Sequence, residues 1–233
     1  MQRKAVMKIR YRVIVPGSSV ALANGFVGWS SIVLVESNDV RILYDCGHHV
    51  TRPALVAGLQ EVGIAPNDID ILFLSHLHFD HVLNFDLFPK ARIMVSDLEW
   101  AYADNPHEKD QFVPGFIKKA LELANLKIFT GTPELAPGIK TLFAPGHTPG
   151  LHGLAFEANG DRIIIAGDAI KTAHELLSGK AAMEFDPQMR GGVTIDYIRE
   201  NADRIVPGHY PEFRKNGDGW IWDDPQPLPI IFR

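Results

Sequence analysis

Ser75-His76-Leu77-His78-Phe79-Asp80-His81 decides how the rest of this 233-residue chain is read. Three imidazoles and a carboxylate fall within six residues, directly after the apolar run Ile69-Asp70-Ile71-Leu72-Phe73-Leu74. That run is short and rich in large apolar side chains, as a buried strand is. Residues two apart on an extended segment face the same way, so His76 and His78 leave the strand end together. A turn into a loop or helix start swings Asp80 and His81 to a neighbouring point. One strand end thus supplies two adjacent ligand clusters. A lone histidine is more often a surface or hydrogen-bonded core residue, but unpartnered polar groups at this density are costly to bury. Imidazole and carboxylate together are metal ligands. The spacing is not that of a helical His-Glu-x-x-His site, whose histidines stand four apart.

The length suits one large domain spanning 1–233. With 46% hydrophobic and 22% charged residues, the composition is that of an ordinary soluble globular protein. No run approaches the roughly twenty apolar residues of a membrane span. Met1 to Lys8 carries charges with no apolar stretch behind them, so no secretory signal is expected and the cytoplasm is the default compartment. Cys46 is the single cysteine and has no internal disulfide partner. A formal charge of −5 argues against a nucleic-acid partner, which calls for clustered Lys and Arg. A small-molecule substrate is expected instead.

Three further motifs follow in order: Ala144-Pro145-Gly146-His147-Thr148-Pro149-Gly150, Ile163-Ile164-Ile165-Ala166-Gly167-Asp168 and Ile205-Val206-Pro207-Gly208-His209. With the H-x-H-x-D-H stretch they resemble the metallo-β-lactamase superfamily, and the resemblance spans most of the chain. It implies an α/β four-layer αβ/βα sandwich, with two mixed sheets packed face to face and helices outside. It also implies that His76, His78 and His147 bind a first metal, that Asp80, His81 and His209 bind a second, and that Asp168 bridges them. Every one of these positions is occupied, so two divalent metal ions are expected. Zinc suits the nitrogen-rich set best, with iron or manganese as alternatives. Asp45, in Asp45-Cys46-Gly47, is similar to a family aspartate that orients a ligand histidine; a turn-forming aspartate is the alternative.

Around these motifs the chain alternates strands and helices. A hairpin is expected over Ile32–Glu36 and Arg41–Tyr44, and a helix over Arg52–Val62 with Thr51 as its N-cap and Gly63 as its stop. Asn159-Gly160 marks a two-residue hairpin. Ser18 to Ser31, with Phe26 and Trp29, reads either as a plain loop or as a flap beside the site. The polar stretch Asp104–Pro114 reads as a surface loop that could cover a pocket. In the tail from Asp218, Trp220, Trp222 and three prolines suggest an irregular segment pinned to the surface, or a homodimer contact.

Such a centre favours hydrolysis. A water shared by two divalent cations is acidified from near 16 to about 7, giving a metal-bridging hydroxide at neutral pH. Asp80 and Asp168 are then the catalytic carboxylates, Asp80 orienting the nucleophile and passing a proton to the leaving group. Acyl-homoserine lactonases of the superfamily share the Ser-His-Leu-His-Phe-Asp-His type of motif and the Gly-His-Thr-Pro-Gly loop. They place a tyrosine shortly after the bridging aspartate, where this chain has Lys171. Phe26, Trp29, Lys171 and His174 are the candidate pocket residues, with His49 behind them. Cleavage of a carboxylic ester, lactone or thioester is the first expectation. A phosphodiesterase or nuclease of the same fold, and a metal-binding regulator without turnover, are the alternatives.

Overall fold

The computed structural model describes residues 8–38 and 40–223. In chain order the first half forms β1 (Ile9–Val15), the small hairpin β2 (Ala21–Leu22) and β3 (Gly25–Phe26), then β4 (Ile32–Ser37) and β5 (Val40–Tyr44). It continues through α1 (Arg52–Glu61), β6 (Ile71–Phe73), α2 (Phe79–Val82), β7 (Arg92–Ser96), α3 (Asp97–Tyr102), α4 (Ile117–Leu121) and β8 (Leu126–Phe129). The second half forms β9 (Glu134–Ala136), β10 (Ile139–Phe143), β11 (His152–Ala158) and β12 (Asp161–Gly167). After these come α5 (Ala173–Ser178), α6 (Gly191–Asn201), β13 (Arg204–Pro207), β14 (Phe213–Asn216) and β15 (Gly219–Ile221). A six-stranded sheet runs β1-β4-β5-β6-β7-β8 and a seven-stranded sheet runs β15-β14-β13-β12-β11-β10-β9.

Alternation along the strands sorts side chains into three apolar layers. On β4, Ile32 and Leu34 join α1 residues Leu55 and Leu59, while Val33 and Val35 face the other sheet. On β12, Ile163 and Ile165 enter that same middle layer, while Ile164 and Ala166 turn outward to Leu176 of α5 and Ile195 and Ile198 of α6. Helix, sheet, sheet, helix is the resulting order. Both sheets are mixed, with β5, β6, β7 and β8 parallel in the first and the β12–β13 pair parallel in the second.

This topology sets the place of the site. Parallel neighbours point their carboxyl ends to one edge, where ligands of open α/β sheets bind. Asp45 follows β5 and Ser75-His76 follow β6 by a short step; Asp168 follows β12 and His209 follows β13 just beyond Pro207. The two sheets thus present their carboxyl ends to each other. Tyr44 ties them there, donating from its hydroxyl to the His152 carbonyl at 3.0 Å. A Cβ on Gly167 would sit 2.5 Å from that hydroxyl, at a φ of +51°, so only glycine carries the chain from β12 into Asp168.

Several expectations meet the structure directly. The Asn159-Gly160 turn has φ of 55° and 91°, the double positive φ of a type I′ hairpin. Gly63 closes α1 at a φ of +73°. Thr51 precedes α1 but is no side-chain cap: its hydroxyl donates to the His48 carbonyl at 2.9 Å instead, within the preceding 3-10 turn. The tail is more regular than expected. Trp220 lies on β15, which pairs with β14, and Trp222 packs edge-on against Phe213 at 5.6 Å and Tyr210 at 5.9 Å. Apolar cover for the outer face of the second sheet explains these tryptophans. The three prolines of the tail lie outside the described residues. No helix among the described residues is long and apolar enough to cross a membrane.

Candidate metal centre

Five imidazoles and two carboxylates converge where the sheet edges meet. The ligand atoms of His76, His78 and His147 lie within 4.8 Å of one another, as do those of Asp80, His81 and His209, and those of His76, His81 and Asp168. Asp168 stands between the clusters. Its Oδ2 is 3.3 Å from His147 Nε2, and its Oδ1 is 3.3 Å from both His81 Nε2 and His209 Nε2. Asp80 Oδ2 is 3.3 Å from His209 Nε2 and 3.8 Å from His81 Nε2. His78 Nδ1 and His147 Nε2 approach to 3.0 Å.

The far nitrogen of each imidazole is held by the protein, which fixes the tautomer and aims the other nitrogen inward. His81 Nδ1 donates to Asp45 Oδ2 at 2.7 Å, and His78 Nε2 donates to Asp110 Oδ2 at 2.9 Å. His147 Nδ1 donates to the Met183 carbonyl at 3.0 Å, and His209 Nδ1 to the Ser18 carbonyl at 3.2 Å. His76 Nδ1 donates to Ser75 Oγ at 2.9 Å, and Ser75 in turn donates to Asp45 through its hydroxyl and its amide, each at 2.8 Å. Asp45 therefore orders two of the five imidazoles, from a left-handed backbone with φ 58°. It is fully buried.

Two divalent cations fit this set of atoms. His76 Nε2, His81 Nε2 and Asp168 Oδ1 are buried and have no hydrogen-bond partner among the described residues, an arrangement that metal coordination satisfies and an apolar core would not. Charge divides the clusters. Burial, with His81 and His78 beside it, pushes His76 well below the usual imidazole range. Burial likewise lowers His147, against the pull of Asp168. Burial also opposes the charged forms of His81 and His209, but Asp168 and Asp80 outweigh it and hold both above that range. The same pairing overcomes burial at Asp168 and keeps its carboxyl well below the usual carboxylate range. His76 and His147 are thus favoured as neutral nitrogen, while His81 and His209 are favoured as imidazolium against the Asp168 carboxylate.

Beside the clusters opens a cavity of about 260 Å³ lined by His78, Asp80, His147, Asp168 and His209 on its floor, and by Val20, Ala21, Phe26, Phe79, Phe112 and Met183 among its walls. Lys171 lines it too, with Nζ 3.7 Å from Met183 Sδ. Phe26, on β3, meets Phe112 edge-on at 5.5 Å, so the β2–β3 hairpin forms one lip of the cavity. Two expected pocket residues are corrected. Trp29 packs into the first core layer and donates from Nε1 to the Pro16 carbonyl at 2.8 Å, at the root of the hairpin rather than its tip. His174 is exposed on α5, one position before Glu175 turns inward, and does not line the cavity. His49 is exposed as well.

Three carboxylates support the site without having been legible as part of it. Glu99 is fully buried, accepting from the Leu77 amide at 3.1 Å and from Thr148 Oγ1 at 2.7 Å. Glu175 accepts from the Lys171 amide at 2.5 Å and the Ala182 amide at 2.8 Å, and so steadies the Met183 carbonyl behind His147. Asp110 holds His78. Ser96-x-x-Glu99 and Thr172-x-x-Glu175 both carry the capping-box spacing, a signal for a helix start that says nothing of the metal loops; Asp110 carries no signal at all.

The profile of the metallo-beta-lactamase superfamily matches residues 26–209. This chain belongs to that superfamily. It is 31% identical over 133 residues to the N-acyl homoserine lactonase AiiA of Bacillus thuringiensis subsp. kurstaki, a match covering 56% of this chain and 50% of that protein. It is 30% identical over 195 residues to the human metallo-beta-lactamase domain-containing protein 1, covering 80% and 64% respectively. The matches thus span about half the length of the Bacillus relatives and somewhat under two thirds of the human one. A solved structure of a B. thuringiensis AiiA mutant with N-decanoyl-L-homoserine bound at its active site is 22% identical, with a TM-score of 0.65 over 84% of this chain and 89% of that one. AidC, a dizinc quorum-quenching lactonase, is also 22% identical, with a TM-score of 0.65 over 91% and 83%. At this identity the structural likenesses establish the fold.

Proposed function

We propose that the protein is a dinuclear metal-dependent hydrolase that cleaves a carboxylic ester, lactone or thioester of a small molecule with an apolar portion. The observation that carries this reading is the placement of Asp168, whose two oxygens face separate imidazole clusters. Bound divalent cations, zinc foremost for this donor set, supply Lewis acidity that makes water nucleophilic at neutral pH and polarises an acyl oxygen. The chain's own residues do the rest. Asp80 Oδ2, close to His209 and on the cavity floor, is positioned to orient the attacking water and to carry its proton to the leaving group. Lys171 offers an ammonium to negative charge developing on the acyl oxygen. Phe26, Phe79, Phe112 and Met183 exclude water from the apolar portion. The lactonase names of the Bacillus relatives favour the lactone within this group.

One zinc-loaded preparation of measured metal content, assayed against lactones, thioesters and bis-(p-nitrophenyl) phosphate, tests the reading. Turnover of an acyl substrate that disappears in Asp168→Ala with the fold retained is the expected result. Turnover of the phosphodiester alone would move the activity to the phosphodiesterase branch, and none at all with two metals bound would favour a binding protein.

A further inference from the structure

Between α3 and α4 the chain runs without regular structure, and in the middle of this stretch Asp110 turns inward. Its side chain is completely covered. Oδ2 accepts from His78 Nε2 at 2.9 Å and from the Tyr102 hydroxyl at 2.6 Å, while Oδ1 accepts from the Phe112 amide at 3.0 Å. One carboxylate therefore grips an imidazole of the first cluster, the last residue of α3 and the residue whose ring walls the cavity. Phe112 is pinned from its other side as well, its carbonyl accepting from the Phe79 amide at 2.9 Å. Among the described residues no lysine or arginine pairs with Asp110.

A covered carboxylate without a cationic side chain is expensive to bury. At this position it does one thing an amide or a water cannot do as firmly. It keeps the His78 proton on Nε2, because the other tautomer would turn a lone pair toward the carboxylate. Nδ1 is then left unprotonated, facing His147 Nε2 and the centre of the first cluster. Through the Phe112 amide the same group sets where the cavity wall stands relative to that cluster.

Resting on the dinuclear reading above, we propose that Asp110 is a positioning residue that fixes His78 for the first metal and couples occupancy of that site to the order of the 104–114 segment carrying the Phe112 wall. Metal binding then tightens the wall, and loosening the wall weakens the metal.

The test uses the full chain, stripped with a chelator and titrated with zinc against a chromophoric competitor, as wild type, Asp110→Asn and Tyr102→Phe. Asp110→Asn keeps the shape and removes the charge. It should lower the affinity of one of the two zinc sites about 10- to 100-fold, the range for loss of a carboxylate behind a ligand histidine, and leave the other site unchanged. Hydrogen exchange gives a second readout: zinc should protect amides of 104–114 in the wild type and fail to do so in Asp110→Asn. Tyr102→Phe removes one donor and should lower the same site less than tenfold; should Asp110→Asn not fold, this variant carries the test. Wild-type affinities and wild-type protection in the folded variants would overturn the proposal while leaving the dinuclear hydrolase intact. A wild type that binds no zinc would remove both.

Discussion

Thr148 Oγ1 donates to Glu99 Oε2 at 2.7 Å, and the other oxygen of Glu99 accepts from the Leu77 amide at 3.1 Å. Leu77 stands between His76 and His78, and Thr148 directly follows His147. A single buried side chain on α3 thus holds together the two loops that furnish the first imidazole cluster. Approach is close on every side, since a Cβ on Gly150 would lie 2.1 Å from the Glu99 nitrogen.

Removing this tie leaves two buried donors unpaired. Glu99→Ala should cost about 2 kcal/mol or more of stability, judged by denaturant unfolding, and should weaken zinc at the first site. Little change in either would show that the loops hold their spacing unaided.

Glu99 also predicts a pH dependence. Burial raises its carboxyl above the usual carboxylate range, against the hydrogen bond from Thr148. A carboxyl raised in the folded state contributes stability below its unfolded value, and that contribution is lost as pH rises through the folded value. Glu99→Gln removes the ionisation and keeps an acceptor for Leu77. In chelator-treated protein, the Tm of Glu99→Gln relative to wild type should therefore climb as pH rises from about 4.5 toward neutrality. A flat difference would mean that Glu99 ionises at no cost.

Much of this architecture was written in local pattern. Four short motifs carried the resemblance that implied the layers and named side chains that meet in space, and the Asn159-Gly160 turn marked a hairpin. What stayed hidden depends on contacts distant in sequence. Asp110 acts through His78, 32 positions away, and Glu99 through Thr148, 49 positions away, and neither distance leaves a periodic trace. Trp29 and His174 misled for the opposite reason. Each lies close in sequence to a cavity residue, Phe26 or Glu175, but a turn or one helical step points it elsewhere.

Asp45 should matter to the second cluster as Asp110 does to the first. Asp45→Asn weakens the partner of His81 Nδ1 and disturbs its contacts with Ser75. An expected loss of about 10- to 100-fold in zinc affinity at the His81 site, with a smaller loss at the His76 site through Ser75, can be read by competition titration. Unchanged affinity would reduce Asp45 to a turn residue.

Gly208 leaves room for the Asp168 carboxylate. A Cβ there would fall 2.0 Å from Asp168 Oδ1. Gly208→Ala should drive that carboxylate off its position, lowering bound zinc from two equivalents and bringing turnover to background. Full metal content and activity would show that Asp168 is not held where the account needs it.

Phe26 forms the exposed lip of the cavity, and its removal should affect binding more than chemistry. Phe26→Ala should raise KM about fivefold for substrates with long apolar chains, with kcat little changed. A fall in kcat alone would assign the hairpin a different task.

The central claim is that Asp168 sits between two cations. Anomalous diffraction at the zinc edge from crystals grown with zinc tests it most directly. The account predicts two peaks per chain roughly 3.5–4 Å apart, one beside His76, His78 and His147, the other beside Asp80, His81 and His209, with Asp168 reaching both. One peak, or two with Asp168 turned away from either, would contradict it.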